Sequence, residues 1–210
     1  MIRLLSYIYP ITKTIKSKHN NVLEITWFRG KKLLNTKNAN YSNGSLKKIL
    51  KIGLKHTNIE LTNNILLLGL GGGSAIEILV NKYNYDKKIT AIEIDPVIID
   101  IAEKEYNIKS NKNLTIICKD AYGFIKENTI FFDFIIVDLF LDDEIPTQFF
   151  QEQFWLKIIN TKQILFNASL KGNYNTQLQN IITLLNSKKF TTQVLHKVNK
   201  TNTLIIAKKQ

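Results

Sequence analysis

Three carboxylates stand at the ends of three apolar runs. Glu93 lies in Ile89-Thr90-Ala91-Ile92-Glu93-Ile94, Asp120 follows Leu114 to Lys119, and Asp138 closes Phe134-Ile135-Ile136-Val137. Ahead of them, Asn64-Ile65-Leu66-Leu67-Leu68 runs into Gly69-Leu70-Gly71-Gly72-Gly73-Ser74. Glycines at that place let a backbone reach positive φ and approach a ligand closely. The spacing chooses among ligands. A pyrophosphate loop wants glycine or alanine where Ser74 stands, and no Lys-Ser/Thr follows to make a phosphate-binding P-loop. The Gly69, Gly71, Gly73 spacing is the form that binds S-adenosylmethionine. A carboxylate about 20 residues past such a loop, as Glu93 is, can accept ribose hydroxyls. Asp120 can accept from an adenine amino group, and it is equally placed to cap the helix that begins at Ala121. Asp95, just before Pro96, is assigned to turn and helix capping.

These residues need elements to hold them. Strands are expected at 64–69, 89–94, 114–118, 134–137 and 163–166. Helices are expected at 74–83, 96–106, 121–127, 146–159 and 176–186. Near-continuous apolar strands alternating with helices predict a parallel sheet covered on both faces. Two last strands, near 191–198 and 203–207, are separated only by the polar turn 199–202. They predict an antiparallel hairpin at one edge. The fold class is therefore α/β, a doubly wound, Rossmann-like sheet of the class I methyltransferase type. Three acids at the carboxyl ends of successive strands would line the crevice where such sheets bind ligands.

Before this domain, 22–35 reads as a β-hairpin with a turn at Arg29-Gly30-Lys31, and Ser45 opens an amphipathic helix to about Lys55. The expected organisation is an N-terminal extension over 1–56 and an adenosyl-binding catalytic domain over 57–210. Met1 to Lys16 is too short in its apolar part for a signal peptide and has no small-x-small cleavage site, so a docked segment of a cytoplasmic protein is expected.

The chain has 210 residues and a formal charge of +12, with 44% hydrophobic and 22% charged residues. That composition excludes a largely disordered chain. No apolar run reaches the roughly 18 residues of a membrane span. One cysteine, Cys118, excludes an internal disulfide or a Cys-rich zinc site, and three scattered histidines show no metal-binding spacing. No metal is expected. Apart from Arg3 and Arg29 the basic residues are all lysines, and they are read as solvated surface. No nucleic-acid or membrane partner is expected. Cys118 is read as a small buried hydrophobe, Trp155 as core, and Tyr41 and Tyr122 as residues of the pocket wall or its packing.

The stretch from Asn64 to about Phe154 resembles the catalytic domain of spermidine synthases, the polyamine aminopropyltransferases. The resemblance rests on Ile65 to Gly73, Ala91 to Ile98, Asp120-Ala121, and Asp133 to Asp138; the 22–35 hairpin resembles that family's N-terminal β extension. It implies a transferase using decarboxylated S-adenosylmethionine or S-adenosylmethionine, a small amine acceptor such as putrescine, and a homodimer. Gly69, Gly71, Gly73, Glu93, Asp120 and Ala121 would bind the donor. Asp138 would be the base acting on the amine, and Asp142 and Tyr41 would face the acceptor. Two departures matter. The family's glycine loop usually carries an Asp where Gly72 stands, and its second Asp after the fourth strand aligns with Leu141, one step from Asp142. Two other readings stand beside aminopropyl transfer: a methyltransferase of unknown acceptor, and an inactive nucleoside-binding or interaction module. No Asn/Asp-Pro-Pro-Tyr motif points to a nucleobase amine.

Overall fold

The computed structural model describes residues 1–36, 44–168 and 174–210, and the backbone alone of 40–42 and 169. The chain opens with a single helical turn, α1 (Ile2–Leu5), and a four-stranded antiparallel meander: β1 (Ile11–Ser17), β2 (Asn21–Phe28), β3 (Lys31–Asn35) and β4 (Asn40–Ser42). The expected hairpin is β2 and β3, joined at Arg29 and Gly30, both at positive φ. The first strand, β1, was not legible, because Thr, Lys and Ser alternate with only Ile11 and Ile15 in a strand at the sheet edge.

Helix α2 (Gly44–Leu54) leads into the main sheet. Its elements are β5 (Asn64–Leu68), α3 (Ser74–Tyr83), β6 (Lys88–Glu93), α4 (Pro96–Tyr106), β7 (Leu114–Cys118), α5 (Ala121–Glu127) and β8 (Phe134–Val137). Then come α6 (Glu152–Ile158), β9 (Gln163–Ser169), α7 (Asn175–Ser187), β10 (Phe190–Val198) and β11 (Asn202–Lys209). The strand order is β10-β11-β9-β8-β5-β6-β7. All neighbours from β9 to β7 are parallel, and β11 inserts antiparallel between β9 and β10.

Period-two burial explains the two faces. In β5, Ile65 and Leu67 enter one core with Leu50 and Leu54 of α2 and Leu79 of α3, while Leu66 and Leu68 enter the other with Phe154, Trp155 and Leu185. The small sheet is not a satellite. Its Leu23, Ile25 and Leu34 pack on Ile98 and Ile101 of α4. No helix among the described residues is long and apolar enough to cross a membrane.

The expected single helix over 146–159 is two pieces. Thr147–Phe150 is a 3-10 turn, Gln151 is extended, and α6 follows. The cause lies in the aromatics. The indole N–H of Trp155 donates to the Phe149 carbonyl at 2.9 Å, an acceptor that a continuous helix would give to a backbone N–H. The break also lets adjacent rings diverge, Phe149 onto Phe154 and Phe150 onto Tyr174. Trp155 is fully buried as expected, but Cys118 is exposed, because β7 is an edge strand and Cys118 is its last residue.

Candidate functional site: a crevice at the sheet's switch point

The chain leaves β5 toward β6 and β7, then returns to the other side of β5 as β8. Ligands of open α/β sheets bind outside the carboxyl ends of the strands at such a reversal. A cavity of about 710 Å³ lies there. Gly69, Gly71, Glu93, Asp120, Ala121, Asp138 and Asp142 all line it, so the fold brings together most of the residues singled out from sequence. Asn20, from the β1–β2 turn, and Ser45, Leu46 and Ile49, from the first half of α2, also line it. Its size falls within the roughly 300–1,000 Å³ of small-molecule sites.

The glycines divide the work. Gly69, Gly71 and Gly73 have φ of +94°, +50° and +80°. A Cβ on Gly69 would run into the backbone carbonyl of Asp138, so β5 and β8 can close together only because that residue is glycine. Gly73 caps α3 away from the cavity lining, where a Cβ would meet the Ile108 side chain.

Glu93 is buried, 8% exposed, and it organises the loop. Its Oε2 accepts from the N–H of Leu70 at 3.1 Å and of Gly71 at 3.2 Å; Oε1 accepts from Asp95 N–H at 3.1 Å. Burial pushes its carboxyl above the ordinary range, and these three N–H donors pull it back. A carboxylate has about four acceptor positions, so room for one further strong donor remains. Asp120 caps α5, accepting from Gly123 N–H at 2.7 Å through Oδ2.

Asp95 is fully buried. Its Oδ1 caps α4 through Val97 N–H at 3.0 Å, as its place before Pro96 suggested. Its Oδ2 does something the sequence did not announce, accepting from Ser17 Oγ and from Asn20 Nδ2. That clamps the β1–β2 turn against the crevice.

Asp138 directly follows β8, is half-buried and lines the cavity. Burial desolvates it and pushes its carboxyl up to about 6; a bond from Asn167 opposes the shift. Asn167 Nδ2 donates to Asp138 Oδ1 at 2.8 Å, and Asn202 Nδ2 donates to Asn167 Oδ1 at 2.8 Å. Neither asparagine was singled out from sequence. The signal was there: Asn167 interrupts the apolar run Ile164-Leu165-Phe166, but β9 was expected to end at Phe166.

Asp142 lies at positive φ in a tight turn closed by reciprocal backbone bonds between Leu141 and Glu144, and it accepts from Thr36 Oγ1. Asp143 lines the cavity beside it. Tyr122 packs on Phe154 with ring centroids 6.2 Å apart. The backbone of Tyr41 lies in β4, and its side chain lies outside the described residues.

A profile described as the Spermine/spermidine synthase domain matches residues 46–204. The chain belongs to this family. Its curated relatives include the polyamine aminopropyltransferase of Vibrio vulnificus (strain CMCP6), 32% identical over 109 residues. That match covers 50% of this chain and 35% of the relative, so the alignment spans about a third of the relative's length. Among solved structures, a probable spermidine synthase from Corynebacterium glutamicum ATCC 13032 superposes with a TM-score of 0.67 at 13% identity, covering 95% of this chain and 77% of that one. Human methyltransferase-like protein 13, solved in complex with SAH, gives 0.64 at 19% identity, covering 80% and 83%. At these identities the structural likeness speaks for the fold: a class I methyltransferase fold.

Proposed function

We propose that this chain transfers an aminopropyl group from decarboxylated S-adenosylmethionine to a small amine. The observation that carries the reading is Asp138, a desolvated carboxylate held by Asn167 at the switch-point crevice. Family membership supports it.

The residues suit the donor. Gly69 and Gly71 bring backbone to the cavity wall, Glu93 keeps one acceptor position for a ribose hydroxyl, and Asp120 keeps an oxygen for the adenine amino group. Ile94, Ile98 and Ala121 supply apolar wall. A sulfonium makes its attached carbons electrophilic, so alignment is the main task. The amine nitrogen attacks the methylene carbon next to sulfur. The carbon–sulfur bond breaks with its electrons going to sulfur, leaving a neutral thioether, and Asp138 takes the proton from the nitrogen. A carboxylate with pKa about 6 is anionic at pH 7 yet basic enough to share that proton. The crevice also favours cations locally. Five acids line it (Glu93, Asp120, Asp138, Asp142 and Asp143) against Lys119 and Lys200. Asp142 and Asp143 are the groups offered to a far ammonium of a diamine.

Methyl transfer is the second reading, and Gly72 favours it. That residue presents no carboxylate for the aminopropyl ammonium of the donor. Mass spectrometry of acceptor amines incubated with each donor separates the two. The expected result is an acceptor heavier by one aminopropyl group, with the thioether nucleoside released, only from the decarboxylated donor. A methyl gain from S-adenosylmethionine, or no gain from either donor, would overturn the proposal.

A further inference from the structure

Two buried amides stand behind Asp138. Asn167 is 0% exposed and sits in β9 between Phe166 and Ala168, both also fully buried. Asn202 is 9% exposed and is the first residue of β11. The topology explains the meeting. An antiparallel strand inserted next to β9 begins at the edge where the parallel strands end, so its first residue arrives at the crevice. An asparagine amide can turn over and exchange donor for acceptor. The Asp138 carboxylate accepts only, so it draws the Asn167 NH₂ toward itself; Asn202 Nδ2 then donates to the Asn167 Oδ1 left on the far side and holds that orientation.

We infer that Asn167 and Asn202 are positioning residues, a directed amide relay that anchors Asp138 Oδ1 and leaves Oδ2 to the substrate amine. This deepens the reading of Asp138 as the base and rests on it. The relay is not required to hold the strands together, because β9 and β11 pair by backbone from Asn202↔Ser169 to Lys208↔Gln163. Burying two amides at such a strand end costs free energy that an apolar pair would not. The other charged groups facing the same cavity are Glu93 from β6, Lys119 and Asp120 after β7, Asp142 and Asp143 after β8, and Lys200 from the β10–β11 turn. Neither substitution below alters any of them.

The test uses Asn167→Leu, close in shape, and Asn202→Ala, a truncation at the first residue of β11. Two quantities are recorded: the titration of the Asp138 carboxyl by carbon-13 NMR in the free protein, and the pH profile of kcat/KM for the amine. Without the charge-assisted bond, the Asn167→Leu carboxyl should titrate about one pH unit higher, and kcat/KM should fall about fivefold near pH 6 and about tenfold well below it. Part of that loss should return as pH rises, while donor affinity stays unchanged. Asn202→Ala should shift both the same way by less. An unmoved titration in both variants, or a loss equal at every pH, would overturn the relay. If the wild type transfers nothing, the NMR titration still reads the relay, and only the proposed activity fails.

Discussion

Asp138 is held at a cost that pH can reveal. Its folded pKa of about 6 lies above the ordinary 3.8, so the folded chain binds a proton that the unfolded chain releases between those values. Stability from this group is therefore highest below about pH 4, falls as pH rises through 4 to 6, and stays lower above 6. Asp138→Asn should stabilise the protein at pH 8 by on the order of 1–3 kcal/mol and leave it unchanged at pH 4. Denaturant melts at the two pH values check this; equal effects at both would contradict it. Gly69 is the neighbouring constraint. Gly69→Ala combines a φ of +94° with a collision against the Asp138 carbonyl, and it should destabilise by about 2–4 kcal/mol, read as a fall in Tm.

Elements deliver these residues, and their legibility varied for physical reasons. The strands β5, β6, β7 and β8 are short, apolar and bounded by glycine or acid, so their ends, and hence Gly69, Glu93, Asp120 and Asp138, could be placed from sequence. The Asn167–Asn202 pair could not, because it depends on which strand lies beside β9. The second partner set of Asp95 was hidden in the same way. Ser17 and Asn20 are far from Asp95 in the chain and meet it only because the small sheet packs on α4. Asp95→Ala should lose the α4 cap, worth about 0.5–2 kcal/mol, and also release the β1–β2 turn. Hydrogen exchange over residues 17–20 should then quicken more than over β5. Unchanged exchange there would show that the clamp does not hold the turn.

At the scale of the whole molecule, the two ends of the chain contribute unequally. The segment α1 has no buried residue, whereas β11 buries Leu204, Ile205, Ile206 and Ala207 between two neighbouring strands. A chain ending at Val198 should therefore lose cooperative unfolding, and one lacking residues 1–5 should keep it; circular dichroism melts distinguish them. The charge is also uneven. Residues 1–36 hold Arg3, Lys13, Lys16, Lys18, Arg29, Lys31 and Lys32 against the single acid Glu24, while the crevice is lined mainly by acids. The net +12 is thus a poor guide to what the crevice attracts. Charge near the reacting groups, rather than the total, sets the local field.

The central claim is that one cavity binds an adenosyl donor and that Asp138 acts on the amine. The most direct measurement compares wild type and Asp138→Asn for calorimetric binding of decarboxylated S-adenosylmethionine and for transfer to a diamine. The account predicts donor affinity within about twofold of wild type and transfer reduced by on the order of 10²-fold or more. Unchanged transfer in Asp138→Asn, or loss of donor binding together with transfer, would contradict it.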